Sequence, residues 1–160
     1  MKALIQLTLP PEAKPTSINH FIKQAHISQR MRRKLRTEGM IKVNQVEASW
    51  NTLLKAGDHL SISLAPSQDL IPYPLPLDIV YEDSYLLIIN KPAGLLMHPT
   101  AKERHKTLAN ALAYYYQKSG QAYDFHPVHR LDKDTSGLVI IAKTALVQHA
   151  FEKQGLKFQK

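Results

Sequence analysis

The sequence predicts an α+β fold in two parts. Three observations carry this. Short apolar runs rich in β-branched residues alternate with turn residues, as strands do. Three stretches repeat apolar residues at helical spacing. Pro66, Pro72, Pro74 and Pro76 crowd one segment. Closely spaced prolines resist helix and sheet and stiffen a connector, so a boundary belongs there.

Along the chain, residues 3–9 read as a strand, ended by Pro10-Pro11. Thr16 or Ser17 can cap a helix with Ile18, Phe21, Ile22 and Ala25 on one side. Ser28 can cap a second helix running to about Glu38, with Gly39 where helices commonly stop. Strands are expected at Met40–Val43 and His59–Leu64. Beyond the prolines, the apolar runs around Ile79–Val80 and Leu86–Ile89 flank an acidic turn and suggest a hairpin. Thr107–Tyr116 reads as a helix, with Leu108, Ala111, Leu112 and Tyr115 on one side, and Leu138–Ala142 as a buried strand.

Composition narrows the function. The 160 residues allow one ordinary domain or two small ones. There is no cysteine, hence no disulfide framework, thiolate nucleophile or thiolate metal site, which fits a cytoplasmic location. Met1 reads as a natural start. The run Ala3-Leu4-Ile5 is interrupted by Gln6 and Thr8, an edge-strand pattern and not a signal peptide. The run Leu86–Ile89 is far too short to span a bilayer. The net charge of +8 is uneven: residues 1–65 carry +6, and the rest +2. A concentrated positive field suits a polyanion.

Much of that charge falls on the second helix. Ile27, Met31 and Leu35 form one stripe, and Arg30, Arg32, Arg33, Lys34 and Arg36 occupy the remaining arc. Five like charges on so short a helix repel one another, and a phosphate backbone would relieve that repulsion while arginine grips its oxygens. Residues 13–66 resemble the S-four-like RNA-binding domain, named after a ribosomal small-subunit protein. The carrying residues are Arg30 to Arg36, then Gly39-Met40-Ile41-Lys42-Val43-Asn44, then Lys55-Ala56-Gly57-Asp58. The family places a small residue after the Asn, where this chain has Gln45. The resemblance implies that Arg30, Arg32, Arg33, Lys34, Arg36 and Lys42 contact RNA.

The chemistry-bearing stretch is His129-Arg130-Leu131-Asp132-Lys133-Asp134-Thr135-Ser136-Gly137, at the entrance to a core strand. Loops held by a rigid sheet are common places for reactive groups, and Thr135-Ser136-Gly137 can form the turn. A metal-dependent phosphatase loop would need its Thr one residue later and its strand before the aspartates. A calcium loop would need more alternating oxygen ligands. None of the eight histidines forms an i, i+4 pair on a helix face, so no metal is expected, although His98, His126 and His129 could approach one another.

The run from His129 to Leu138 resembles the signature of the RluA family of pseudouridine synthases. A second match runs from Ile79-Val80-Tyr81-Glu82-Asp83 through Asn90-Lys91-Pro92-Ala93-Gly94 to His98-Pro99, and a third is Thr107-Leu108-Ala109-Asn110-Ala111-Leu112. Together they cover about residues 77–152. The resemblance implies isomerisation of uridine in structured RNA, ribosomal more than transfer RNA, without cofactor or metal. Asp132 is then the catalytic carboxylate, as nucleophile or base. The target must be flipped out. Arg130 would fill the gap and neutralise phosphate, His129, Leu131, Thr135, Ser136 and Gly137 would support the loop, and Asp134 would shape the turn. Lys91 and His98 would line the RNA side of the cleft.

The implied organisation is an N-terminal strand (1–12), the S-four-like domain (13–66), a Pro-rich linker (67–76) and the first half of a mixed, mostly antiparallel catalytic domain (77–160). Family members continue well past this point, where they supply a Tyr that packs on the target base and a basic partner for the catalytic Asp. Phe151–Lys160 reads as the approach to the strand bearing that Tyr. A chain ending there is expected to leave strand edges unpaired, to fold poorly in its second half and to be catalytically inactive or nearly so. The complete enzyme is expected to be monomeric. The rival expectation is a non-catalytic RNA-binding remnant.

Overall fold

The computed structural model describes residues 3–25, 27–65 and 68–155. The chain divides into two compact units, meeting in sequence between Ala65 and Pro66.

In the first unit, β1 (Ala3–Thr8), β2 (Thr16–Ser17), α1 (Ile18–Gln24), α2 (Gln29–Glu38), β3 (Met40–Val43), β4 (Val46–Glu47), β5 (Leu53–Leu54) and β6 (His59–Ser63) follow in order. Four strands form an antiparallel sheet in the order β1-β6-β3-β4, and β2 pairs with β5. The Ser17 hydroxyl accepts the His20 N–H at 3.1 Å and the Ser28 hydroxyl accepts the Met31 N–H at 3.2 Å, so each helix begins on a serine cap. Ile18, Ile22, Leu35, Ile41, Leu54, Leu60 and Ile62 form the core, against which Ile27 and Met31 also pack. The apolar stripe of α2 thus faces inward, and Arg30, Arg33 and Arg36 are left exposed.

Two turn positions have physical reasons that differ from expectation. Gly39 ends α2 with φ −77°, not in the left-handed region. It is needed for space, because a Cβ there would collide with the Leu35 carbonyl oxygen. Asn44 and Gln45 join β3 to β4 with φ of 51° and 70°. Positive φ at both central residues is the mark of a type I′ hairpin turn. Gln45 therefore holds a conformation that costs a side-chain-bearing residue energy. Neighbouring bonds hold the turn: Asn44 Nδ2 donates to Asp58 Oδ1 at 2.9 Å, and Asn44 Oδ1 accepts the His59 N–H at 2.9 Å. Asp58 also accepts the Lys55 N–H at 2.8 Å. The Lys55 and Asn44 bonds hold its carboxyl below the usual range.

The second unit contains β7 (Ile79–Glu82), β8 (Leu86–Lys91), α3 (Leu108–Lys118), β9 (His126–Pro127), β10 (Gly137–Ala142) and α4 (Ala145–Lys153). Its sheet is antiparallel in the order β7-β8-β10-β9. Asp83 makes the β7–β8 turn by accepting the N–H groups of Tyr85 at 2.7 Å and Leu86 at 2.9 Å. Leu87 and Ile89 of β8 and Val139 and Ile141 of β10 face inward onto Leu108, Leu112 and Tyr116 of α3. Thr107 and Asn110 form a reciprocal capping box at the start of α3. Asn110 also donates to the Ile71 carbonyl at 2.9 Å and accepts the Tyr73 N–H on its backbone carbonyl at 3.0 Å. With Leu70, Leu75 and Leu77 packed on the core, the proline-rich segment lies along this unit.

The region expected to approach a strand is instead helical as far as Lys153. Thr144 accepts the Val147 N–H at 3.3 Å and starts α4. Residues 156–160, the rest of that expectation, lie outside the described residues, as do Met1, Lys2 and Pro66. Leu138 and Tyr85 remain exposed on the second unit.

The turn at Gln45 yields a direct test. Gln45→Gly should remove the left-handed penalty at a smaller cost in unfolded-chain entropy, stabilising the first unit by about 0.5–1 kcal/mol in urea unfolding.

Candidate active site

The stretch from His129 to Gly137 folds as a turn fastened from below. The Thr135 N–H donates to the Asp132 carbonyl at 3.1 Å, closing a turn over Asp132–Thr135. That is earlier than the Thr135-Ser136-Gly137 turn expected from composition. Gly137 already belongs to β10 and has φ 144°, a conformation that L side chains rarely adopt. Leu131 packs on the core and lies where a side chain at 137 would meet it. Asp132, Asp134, Thr135 and Ser136 are exposed.

Lys91 is fully buried beneath this turn. Its ammonium donates to the carbonyls of Leu95 at 2.7 Å, Pro92 at 2.9 Å and Lys133 at 3.0 Å. Lysine has three donors and no acceptor, so all its hydrogens are used. The Lys133 carbonyl also accepts the Gly94 N–H at 2.8 Å. The turn after β8 and the turn bearing Asp132 are therefore stitched together through one carbonyl and one cation. Burial pushes the Lys91 amine below its ordinary value, and the nearby charges of Asp134 and Asp132 oppose that. Lys91 does not line an RNA-facing surface, as the resemblance implied. It braces the loop from inside. The strand alternation carried the signal, since Leu87, Ile89 and Lys91 share one face.

His129 braces the other flank. Its Nε2 accepts the Ile140 N–H at 3.1 Å, which requires that nitrogen to be unprotonated. Burial holds its imidazole below the ordinary 6.5. His98, by contrast, is exposed and lies edge-on to Phe125, with ring centroids 4.9 Å apart. Partial burial and then the charge of Arg130 lower its pKa. Arg130 is exposed. Among the described residues it makes no ion pair with Asp132 or Asp134, and the Asp132 carboxylate has no side-chain hydrogen bond. Among the same residues no cluster of three His, Asp or Glu is gathered as a metal site would need.

The cations of the first unit fall into separate groups. Arg32, Arg33 and Arg36 line a cleft with Lys23 of α1 and Trp50. Arg36 Nη2 donates to Asn19 Oδ1 there. Arg30 and Lys34 lie on the adjacent edge of α2, and Lys42 lies on the sheet with Gln6, His59 and Ser61. The sequence reading grouped all six and did not single out Lys23 or Trp50.

Comparison with known proteins agrees with this architecture. The model of the RNA pseudouridylate synthase family matches residues 85–160, and that of the RluD ribosomal pseudouridine synthase N-terminal domain matches residues 5–60. The chain belongs to the RluA family of pseudouridine synthases. An uncharacterised RNA pseudouridine synthase of Bacillus subtilis is 43% identical over 123 residues, covering 73% of this chain and 41% of that protein. The ribosomal large subunit pseudouridine synthase D of Neisseria meningitidis serogroup B is 38% identical over 120 residues, covering 73% and 32%. The enzyme of the same name from Buchnera aphidicola is 56% identical over 80 residues, covering 48% and 26%. The chain thus spans less than half the length of these RluA-family relatives. No helix among the described residues is long and apolar enough to cross a membrane.

Two measurements check the bracing. Lys91→Met leaves the Pro92 and Leu95 carbonyls without this donor and the Lys133 carbonyl with Gly94 alone, and should destabilise the second unit by about 2–3 kcal/mol in urea unfolding, with its hydrogen-exchange protection lost first around residues 92–95 and 132–135. A pH series checks His129. The folded state holds His129 and His98 below 6.5, so the unfolded chain binds more protons as pH drops past that value. Stability should be full above about pH 6.5 and fall progressively below it. The slope between pH 7 and 5 should be shallower in a His129→Gln, His98→Gln double variant.

Proposed function

We propose that this protein isomerises uridine to pseudouridine within structured RNA, with ribosomal RNA as the substrate class and Asp132 as the catalytic carboxylate. The observation that carries the reading is Asp132 itself, an exposed carboxylate on a turn made rigid by a buried lysine. Breaking and remaking a glycosidic bond needs an oxygen group held in place, and neither redox change nor group addition, so a carboxylate suffices. Asp132 acts on the sugar as nucleophile or base, and Asp134 serves the turn.

Arg130 supports the reading. An exposed guanidinium without an ion pair among the described residues is available to fill the place of a flipped nucleotide and to meet phosphate. His129 and Leu131 anchor the loop to strand and core, while Thr135, Ser136 and Gly137 carry it into β10. The first unit is read as S-four-like on its two capped helices, its antiparallel hairpin and its basic α2. Arg30, Arg32, Arg33, Lys34, Arg36 and Lys42 are its RNA contacts. The names of the Neisseria and Buchnera relatives favour ribosomal RNA. The reading includes a monomeric protein of the cytoplasm.

A second reading has two observations in its favour. The Asp132 carboxylate has no cationic partner among the described residues, and the chain covers under half of its relatives. The 160-residue chain alone is therefore expected to bind RNA while forming little or no pseudouridine.

The deciding experiment uses the gene's complete product. Asp132→Asn should lower pseudouridine formation at least about a hundredfold, with RNA affinity within about twofold. Undiminished product in that variant, assayed by mass-shift or carbodiimide mapping of the RNA, sinks the assignment.

A further inference from the structure

The cleft between α1 and α2 carries more than general basic charge. It encloses about 200 Å³ and is lined by Lys23, Arg32, Arg33, Arg36, Asn19 and Trp50, with no carboxylate among its described lining residues. This is below the roughly 300–1,000 Å³ of whole small-molecule sites, so the cleft can hold one part of a longer ligand. The cleft is built, not incidental. The Asn19 N–H donates to the Trp50 carbonyl at 2.9 Å, while the Asn19 side chain accepts from Arg36. One residue of α1 thus ties down both the Trp50 main chain and the Arg36 side chain. Arg32 Nε is buried there and has no acceptor among the described residues. A buried donor without an acceptor costs energy that a ligand oxygen would recover. Trp50 is half-buried, packing on the core while also lining the cleft.

Resting on the RNA-binding reading above, we propose that this cleft is a subsite for one unpaired nucleotide. Its base stacks on Trp50, and its flanking phosphates are held by Arg32, Arg33 and Arg36. The reason is the combination of groups. Cations alone serve duplex and single strand alike through counterion release. An aromatic ring beside them adds only when a base face is free, because a duplex keeps its bases stacked within itself. Arg30 and Lys34, on the neighbouring edge of α2, lie outside the cleft and serve either form of RNA. The first unit therefore prefers RNA with an unpaired nucleotide next to a backbone segment it can grip.

Trp50 is the sole tryptophan of the chain, so its emission reports on the subsite directly. The test uses the intact 160-residue chain and two labelled probes, a single-stranded octa-uridylate and a blunt hairpin stem of similar charge. Anisotropy measures binding, and tryptophan emission measures stacking. The single strand is expected to bind and quench Trp50, and the stem to bind without quenching. Trp50→Leu should weaken single-strand binding roughly tenfold or more, leave the stem within twofold, and be largely rescued by Trp50→Phe. Single-strand binding that leaves Trp50 emission unchanged overturns the subsite while the RNA reading stands. So does an equal loss for both probes in Trp50→Leu without rescue by Trp50→Phe. Binding of neither probe overturns the RNA reading and the subsite with it.

Discussion

The arrangement around Asp132 depends on a single buried ammonium. Lys91 ends β8, opposite Gly137 at the start of β10, at the point where both strands leave the sheet. Backbone carbonyls freed there must find donors, and Pro92 has no N–H to offer. One cation with three hydrogens meets the carbonyls of Pro92, Leu95 and Lys133 together. Burying that charge is costly. It is tolerated because every donor is satisfied and two aspartates lie close enough to act on it. A neutral side chain could fill the space, but it could not bind three oxygens from two loops.

That bracing links local structure to chemistry. Reactive groups gain most when their geometry is fixed before substrate arrives. The exposed face of the turn carries polar side chains, while its backbone is pinned by Lys91, Gly94, Leu131 and, through Ile140, His129. Rigidity and exposure are thus assigned to different atoms of the same residues. In the first unit α2 divides its faces similarly, with Ile27, Met31 and Leu35 inward and cations on both flanks.

Much of this was legible in the sequence. The first two helices announced themselves by serine caps at Ser17 and Ser28, the third by the helical spacing of Leu108, Ala111, Leu112 and Tyr115, and the strands of the second unit by short apolar runs. Turn positions were readable as turns but not as causes: Gly39 is required by the Leu35 carbonyl, and Gln45 occupies a left-handed position without being glycine. The inward lysine was hidden by its charge. Lysines are rarely fully buried, so its place in the alternation was outweighed by its residue type. The α4 helix was missed because Leu146, Val147 and Phe151 suit strand or helix, and only the Thr144 cap decides between them. The Asp132 turn was visible through its motif, whereas what holds it came from contacts more than forty residues apart in sequence.

The two buried lysines of the second unit are held in opposite ways. Lys143, at the far end of β10, pairs with Glu82 at 2.8 Å and donates to Gln121 at 2.9 Å. Burial pushes the Glu82 carboxyl up, but bonds from Lys143, Tyr115 and Gln121 outweigh this and hold it low. Tyr115, donating to that carboxylate, is pushed up to about 12. That network is closed, with its cation neutralised inside the protein. Lys91 is bound only by carbonyls, which orient it without cancelling its charge. Asp134 and Asp132 of the exposed turn lie close enough to act on that charge. A lysine engaged by a carboxylate, as Lys143 is, would have fewer hydrogens left for the carbonyls that join the two turns.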